Sequence, residues 1–405
     1  MEQRTWLTSA RRADGSPVDV LMADGTVTEV VPAGASAGRD GDAERLDLTG
    51  YLLLPAPVEP HAHLDKTGTW DDVGCDTGEL SDAVRLWNGW SKDRDRADIL
   101  QRAERTLSLL VSHGTAAVRT HVAVHPEEEH PVAVAALAEL RERWRHRIQL
   151  QIVAMLSADT PADTAGRALA CGADLLGGSP QHSDDPAAEM RRLLSLARAH
   201  GVGLDVHTDE CLAPAVHTLP ILADLVLSTD VQDPRQPVCA SHCVSLGQLP
   251  PDAVAHTARR LAEAGIGVVT LPLTNLYLQG RGLTPVPRGM TAVHDLLAAG
   301  VLVAGGGDNV ADPFNPMGRA DPLETASLLV TSGHLGVTRA YEAVSDAGRA
   351  LMGLAPAGPE PGLVADLLAI RASSLAEAVG QATEDRLLFT AGRLVSRVSV
   401  RRETY

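Results

Sequence analysis

The sequence predicts an α/β fold: a (β/α)8 TIM-like barrel with a small composite β-sandwich domain built from both termini. Three observations predict it. Short apolar runs alternate with segments of helical period through the middle of the chain. Both ends are β-rich instead. Polar residues of metal-ligand and proton-transfer type follow several of the apolar runs directly, at the end of the strand where barrel chemistry sits.

The N-terminal strands are read at 17–31 and 46–54, with Asp24-Gly25 as a hairpin turn. The far end has the same character at Ala365–Ile370, Arg386–Leu388 and Leu394–Val400, entered through the Pro/Gly-rich stretch Ala355–Pro361. The expected division is 1–57 plus 355–405 for the composite β domain and 58–354 for the barrel. Eight barrel runs are read as Leu52–Val58, Thr115–Val122, Ile148–Met155, Ala173–Gly177, Val202–Val206, Val238–Ser241, Ile266–Leu271 and Val301–Gly305. Amphipathic stretches such as Ala187–Ala199, Pro251–Ala264 and Thr291–Ala299 lie between them. Eight βα units over ~300 residues suit this barrel.

Composition bounds the function. The chain has 405 residues, 44% of them hydrophobic, and a formal net charge of −17. Such an acidic balance argues against a nucleic-acid or anionic-membrane partner. No apolar run approaches the ~18 residues a transmembrane helix needs, and the first residues lack the apolar core of a secretion signal. The five cysteines form no CxxC pair and no disulfide ladder, so a reduced, cytoplasmic protein is expected. A small-molecule substrate and a homo-oligomeric state are the partners expected.

The strand ends carry the chemistry. The first run leads into Glu59-Pro60-His61-Ala62-His63-Leu64-Asp65-Lys66. His61 and His63 are two apart, so an extended chain puts both imidazoles on one face, a start for a Zn2+ or Fe2+ site. Alone, an HxH pair is weak evidence. The fifth run ends in His207-Thr208-Asp209-Glu210, the sixth in Ser241-His242-Cys243, and the eighth in Gly305-Gly306-Gly307-Asp308-Asn309. Together these put five such groups at one barrel face, which chance rarely does.

With those residues in view, HAHLDK, HTDE, ASH and GGGDN resemble the amidohydrolase superfamily, and its cytosine deaminase-like branch most. Pro272, Asn275, Leu278-Gln279-Gly280-Arg281, Asp312-Pro313 and Leu150-Gln151-Ile152-Val153-Ala154 add to the likeness, and HLDK with lysine is similar to N-isopropylammelide amidohydrolase. The resemblance implies that His61, His63, His207 and Asp308 bind one divalent ion, Zn2+ or Fe2+, which makes a nucleophilic water available. It implies that His242 and Asp308 take the water's proton and that Glu210 carries a proton to the ring nitrogen. Binuclear members bridge two metals with a lysine, usually after strand four. Here the only lysines are Lys66 and Lys92, and strand four is followed by Gly177-Gly178-Ser179-Pro180-Gln181-His182. One metal is therefore expected.

The departures fall on substrate contacts. Ser157 stands where cytosine deaminase has a glutamine, Asn309 where it has a second aspartate, and Phe314 where it has tryptophan. Lys66, Ser157, Asn309 and Phe314 are the candidate substrate contacts, and cytosine itself is not expected to be the preferred substrate. The leading reading is a metal-dependent deaminase that replaces the exocyclic amine of a nitrogen heterocycle, such as a pyrimidine, triazine or pterin. A cyclic amide or imide hydrolase on the same metal and a catalytically silent binding barrel are the alternatives. Cys239 and Cys243 are read as strand alternation rather than thiolate ligands, and Cys211 as a buried neutral thiol. The glycine run lacks any phosphate-loop pattern and is read as close backbone approach.

Overall fold

The structure is a computed structural model that describes residues 4–39, 41–213, 215–228 and 236–404. Met1–Gln3 and Tyr405, at the edges of the expected β domain, lie outside the described residues. The β-rich ends contribute β1 (Thr5–Arg11), β2 (Pro17–Ala23), β3 (Thr26–Pro32), β4 (Glu44–Asp47) and β5 (Tyr51–Pro55). The barrel strands are β6 (Val58–Ala62), β7 (Ala117–Ala123), β8 (Gln149–Leu156), β9 (Leu175–Gly178), β10 (Gly203–Thr208), β11 (Val238–His242), β12 (Gly267–Thr270) and β13 (Val303–Gly305). The chain returns with β14 (Leu367–Arg371), β15 (Arg386–Thr390) and β16 (Arg393–Val398).

The terminal strands form one hydrogen-bonded sheet in the order β16-β15-β14-β5-β1-β2-β3, with β4 added to β1. It is mostly antiparallel and joins both ends of the chain, as expected. Asp24 and Gly25 both have positive φ, 51° and 78°, as a two-residue hairpin turn demands. The β domain has its own core, in which Leu7, Val20, Met22, Leu53, Leu367 and Phe389 pack together. Arg386 on β15 ties it to the barrel. Its guanidinium donates two bonds to buried Asp321, at 2.9 and 2.8 Å, and one to the carbonyl of His113 at 2.7 Å.

The barrel strands are parallel and follow chain order from β6 to β13. The ring closes just past β13, where Asp308 N–H donates to the His61 carbonyl at 3.0 Å and Asp308 pairs with Ala62. One difference from the sequence reading concerns the first barrel run. Leu52–Val58 is two strands: β5 belongs to the terminal sheet, and Pro55 and Pro57 interrupt the chain before β6 starts in the barrel. His61 is therefore inside a strand rather than just beyond one. The helices read at Ala187–Ala199 and Pro251–Ala264 occupy Pro186–His200 and Pro251–Glu263, and the third shortens to Val293–Ala298.

Candidate active site

Four strand ends deliver the five side chains of the site. His61 comes from β6 and His63 from the residue after it. His207 is the penultimate residue of β10, His242 ends β11, and Asp308 lies three residues past β13. Parallel register sets neighbours: Thr208 pairs with His242 and His207 with Ser241. His242 and Asp308 both adopt left-handed backbone, with φ of 67° and 65°. This conformation is costly for residues other than glycine and is a usual companion of functional strand ends. At Asp308 the closing hydrogen bond to His61 holds it.

The nitrogens and oxygens converge. His207 Nε2 is 3.2 Å from both His61 Nε2 and His63 Nε2. Asp308 Oδ1 is 3.2 Å from His63 Nε2 and 3.7 Å from His61 Nε2. Donor atoms on one small divalent cation, with bonds of roughly 2.0–2.2 Å, would lie about 3–4 Å apart, the range these side chains span. The four side chains are buried, and both Asp308 oxygens lack a hydrogen-bond partner. Orphaned carboxylate oxygens facing three imidazoles fit a divalent cation. Burial, helped by repulsion from neighbouring imidazoles or from Lys66, holds all three histidines well below the usual pKa of 6.5, so they stay neutral and able to ligate.

The two side chains expected to handle protons flank this cluster. His242 Nδ1 donates to Asn275 Oδ1 at 3.0 Å, which leaves Nε2 as the acceptor, 3.9 Å from Asp308 Oδ2. Glu210 Oε1 is 3.6 Å from His242 Nδ1. Burial, with repulsion from Asp308 added, raises the Glu210 carboxyl well above its usual range, and Lys66 opposes the shift. The loop carrying Glu210 is fixed by its neighbour: Asp209 accepts from Thr218 N–H at 2.6 Å and from its hydroxyl at 2.7 Å.

Of the four expected substrate contacts, two reach the site. Lys66 is buried, with Nζ 3.1 Å from His63 Nδ1. It lies 5.0 Å from the Phe314 ring centre and 5.5 Å from that of Trp87. Ser157 and Asn309 are differently placed. Ser157 is exposed, and its hydroxyl bonds to Asp159 at 2.6 Å and Thr160 at 2.9 Å within its own turn. Asn309 is buried but spent internally, donating to Asp312 at 2.8 Å and accepting from Thr274 at 3.4 Å. Ser157 is held within its own turn, and Asn309 by Asp312 and by Thr274 of the helix Pro272–Leu278, which leaves their polar atoms little reach toward a ring.

Several participants had no sequence signal. Glu59 accepts from His61 N–H at 3.1 Å and Gly307 N–H at 2.9 Å, and burial pushes its pKa up to about 8. The glycines here are steric: a Cβ on Gly306 would lie 2.8 Å from Glu59 Oε1, which bears out close backbone approach. His121, on β7, stacks on His61 at 3.9 Å, and burial lowers its pKa to about 3. Trp87, in the helix Leu80–Trp90, has a buried indole N–H without a partner. Cys239 and Cys243 stay out of the metal cluster. Cys239 lies against Arg119, and its pKa is pushed up to about 12 by burial; Cys243 packs beside Thr208.

Comparison with known proteins agrees with this geometry. Residues 91–395 match the model of the amidohydrolase family. The chain is 32% identical over 400 residues to the pterin deaminase of Rhizobium rhizogenes, covering 94% of this chain and 88% of that protein. The structure of the 5-methylcytosine deaminase of Klebsiella pneumoniae with 5-fluorocytosine has a TM-score of 0.89 at 27% identity, covering 100% of this chain and 99% of that one. N-isopropylammelide isopropylaminohydrolase of Burkholderia multivorans gives 0.84 at 26% identity, with 98% of both chains covered. The chain belongs to the amidohydrolase family. Within it, this is a metal-dependent hydrolytic deaminase acting on a carbon–nitrogen bond of a nitrogen heterocycle. Among the described residues no helix is long and apolar enough to cross a membrane.

Proposed function

We propose that the substrate is a 2-amino-4-oxo heterocycle of the pterin type, deaminated with one Zn2+ or Fe2+ held by His61, His63, His207 and Asp308. The observation that carries the substrate choice is the 32% identity to a pterin deaminase across 94% of the chain. The placement of Ser157 and Asn309 supports it, because the two positions expected to read a cytosine ring have their polar atoms engaged within the protein. The ion supplies a water activated for attack at neutral pH.

The remaining steps belong to the chain. Glu210, whose burial keeps it protonated beyond the usual carboxylate range, gives its proton to the ring nitrogen beside the amine-bearing carbon. That makes the carbon electrophilic. His242, neutral through burial and held by Asn275, offers Nε2 to the proton leaving the water, with Asp308 Oδ2 beside it. His242 passes that proton on to the amine, which departs as ammonia, and the hydroxyl left on the carbon returns its proton to Glu210 as the carbonyl forms. Lys66, against Phe314 and Trp87, sits where it can anchor a polar ring substituent. The proposal keeps the cytoplasmic location and the homo-oligomeric state.

A panel assay tests the substrate class. Ammonia release from pterin, cytosine, isocytosine and amino-triazines should show the highest kcat/KM for pterin and at least tenfold less for cytosine. A preference for cytosine over all the others contradicts the proposal, and ring opening without ammonia would favour cyclic amide hydrolysis instead.

A further inference from the structure

We infer that Gln181 reads the lactam edge of the substrate, the adjacent ring N–H and C=O beside the amine-bearing carbon. The inference rests on the proposed deamination of a 2-amino-4-oxo ring and adds a residue that fixes its orientation. Gln181 sits in the single 3-10 turn Pro180–His182, two residues after β9 ends. In the barrel β9 lies between β8 and β10, and the turn packs on β10, the strand that carries His207. The pKa of His182, the next residue, is lowered by burial, with the His242 imidazole adding to the shift. The turn therefore stands at the rim of the metal site.

The side chain itself is unsatisfied. Both the Oε1 and the Nε2 of Gln181 are buried, and neither has a hydrogen-bond partner in the protein. A carboxamide carries an acceptor and two N–H donors, and leaving both ends buried and unpaired is costly. Such an amide at the mouth of a barrel is a group awaiting a ligand. Its two atoms match a cyclic lactam in one plane: Oε1 accepts from the ring N–H while Nε2 donates to the ring C=O. A cytosine deaminase-like site would carry its reading amide after the third barrel strand, at position 157. Here that residue is a serine engaged in its own turn, and an amide stands free one strand further on.

The test compares a substrate that has the lactam with one that lacks it. Gln181→Met keeps the size of the side chain and removes both hydrogen bonds. kcat/KM for pterin should fall roughly 10- to 100-fold, while 2-aminopteridine, without the 4-oxo group, should change less than threefold. Metal content and thermal midpoint should match the wild type. Gln181→Glu, which keeps an acceptor and loses the donor, should fall between the two on pterin. An equal loss on both substrates, or full pterin activity in Gln181→Met, overturns the role of Gln181 and leaves the deaminase assignment intact. A wild-type enzyme that releases no ammonia from pterin overturns both.

Discussion

In the proposed reaction, Glu210 and the three imidazoles are where single side chains decide the chemistry. Glu210→Gln keeps the volume but cannot carry a proton between water and ring. General acid–base catalysis is worth about 10²–10⁴-fold, and a loss of that order in kcat is expected with metal content unchanged; near-normal turnover would remove Glu210 from the mechanism. The histidines give a pH prediction. Their folded pKa values lie well below 6.5, so the rings stay neutral as pH drops through the ordinary imidazole range. In the metal-free protein, this contribution to stability is present above about 6.5 and is lost as pH falls through the depressed folded values. Ligation needs the neutral ring, so the enzyme dialysed at pH 5.5 should retain nearly all its metal by elemental analysis. Release with a midpoint near 6.5 would show the imidazoles to be open to solvent. His61, His63, His207, Glu210, His242 and Asp308 were legible because they follow four apolar runs within a few residues of each run's end. Glu59, His121 and Gln181 were not, because their meaning comes from groups brought in by other strands. Ser157 and Asn309 show the limit of positional matching: the backbone position corresponds, but local turn partners take the side chain's hydrogen bonds.

Closure of the barrel between β6 and the segment after β13 is the element on which the site depends most. Glu59 bridges it through two backbone N–H groups, one of them that of His61 itself. Glu59→Ala leaves the buried His61 N–H unpaired, at about 1–3 kcal/mol, and frees the half-buried Gly307 N–H as well. It also loosens a ligand from behind, an effect that typically costs about 10–100-fold in metal affinity. Both a lowered denaturation midpoint and weaker metal retention against a chelator are expected. An unchanged metal affinity would show that His61 is positioned by its strand alone. Apolar runs revealed the strands themselves, but not how Leu52–Val58 divides. Both halves are apolar, and only the pairing of β5 with β14 and of β6 with β7 separates them.

Across the whole molecule, both chain ends meet in one sheet, and β5 passes directly into the first strand of the barrel. That continuity carries the sheet straight into the strand that bears His61, and the Arg386–Asp321 link ties the same sheet to the helix Pro322–Thr331 of the barrel. Composite architecture could be read from the sequence because the two ends share a β character the middle lacks. The proposed reaction needs one metal per chain to drive hydrolytic removal of a ring amine. Titrating metal-stripped protein with Zn2+ or Fe2+ while measuring ammonia release from pterin tests it most directly. Activity should rise from near zero and reach a plateau at about one equivalent per chain, with one ammonia formed for each pterin consumed. A plateau at two equivalents, or full activity in the stripped protein, would contradict it.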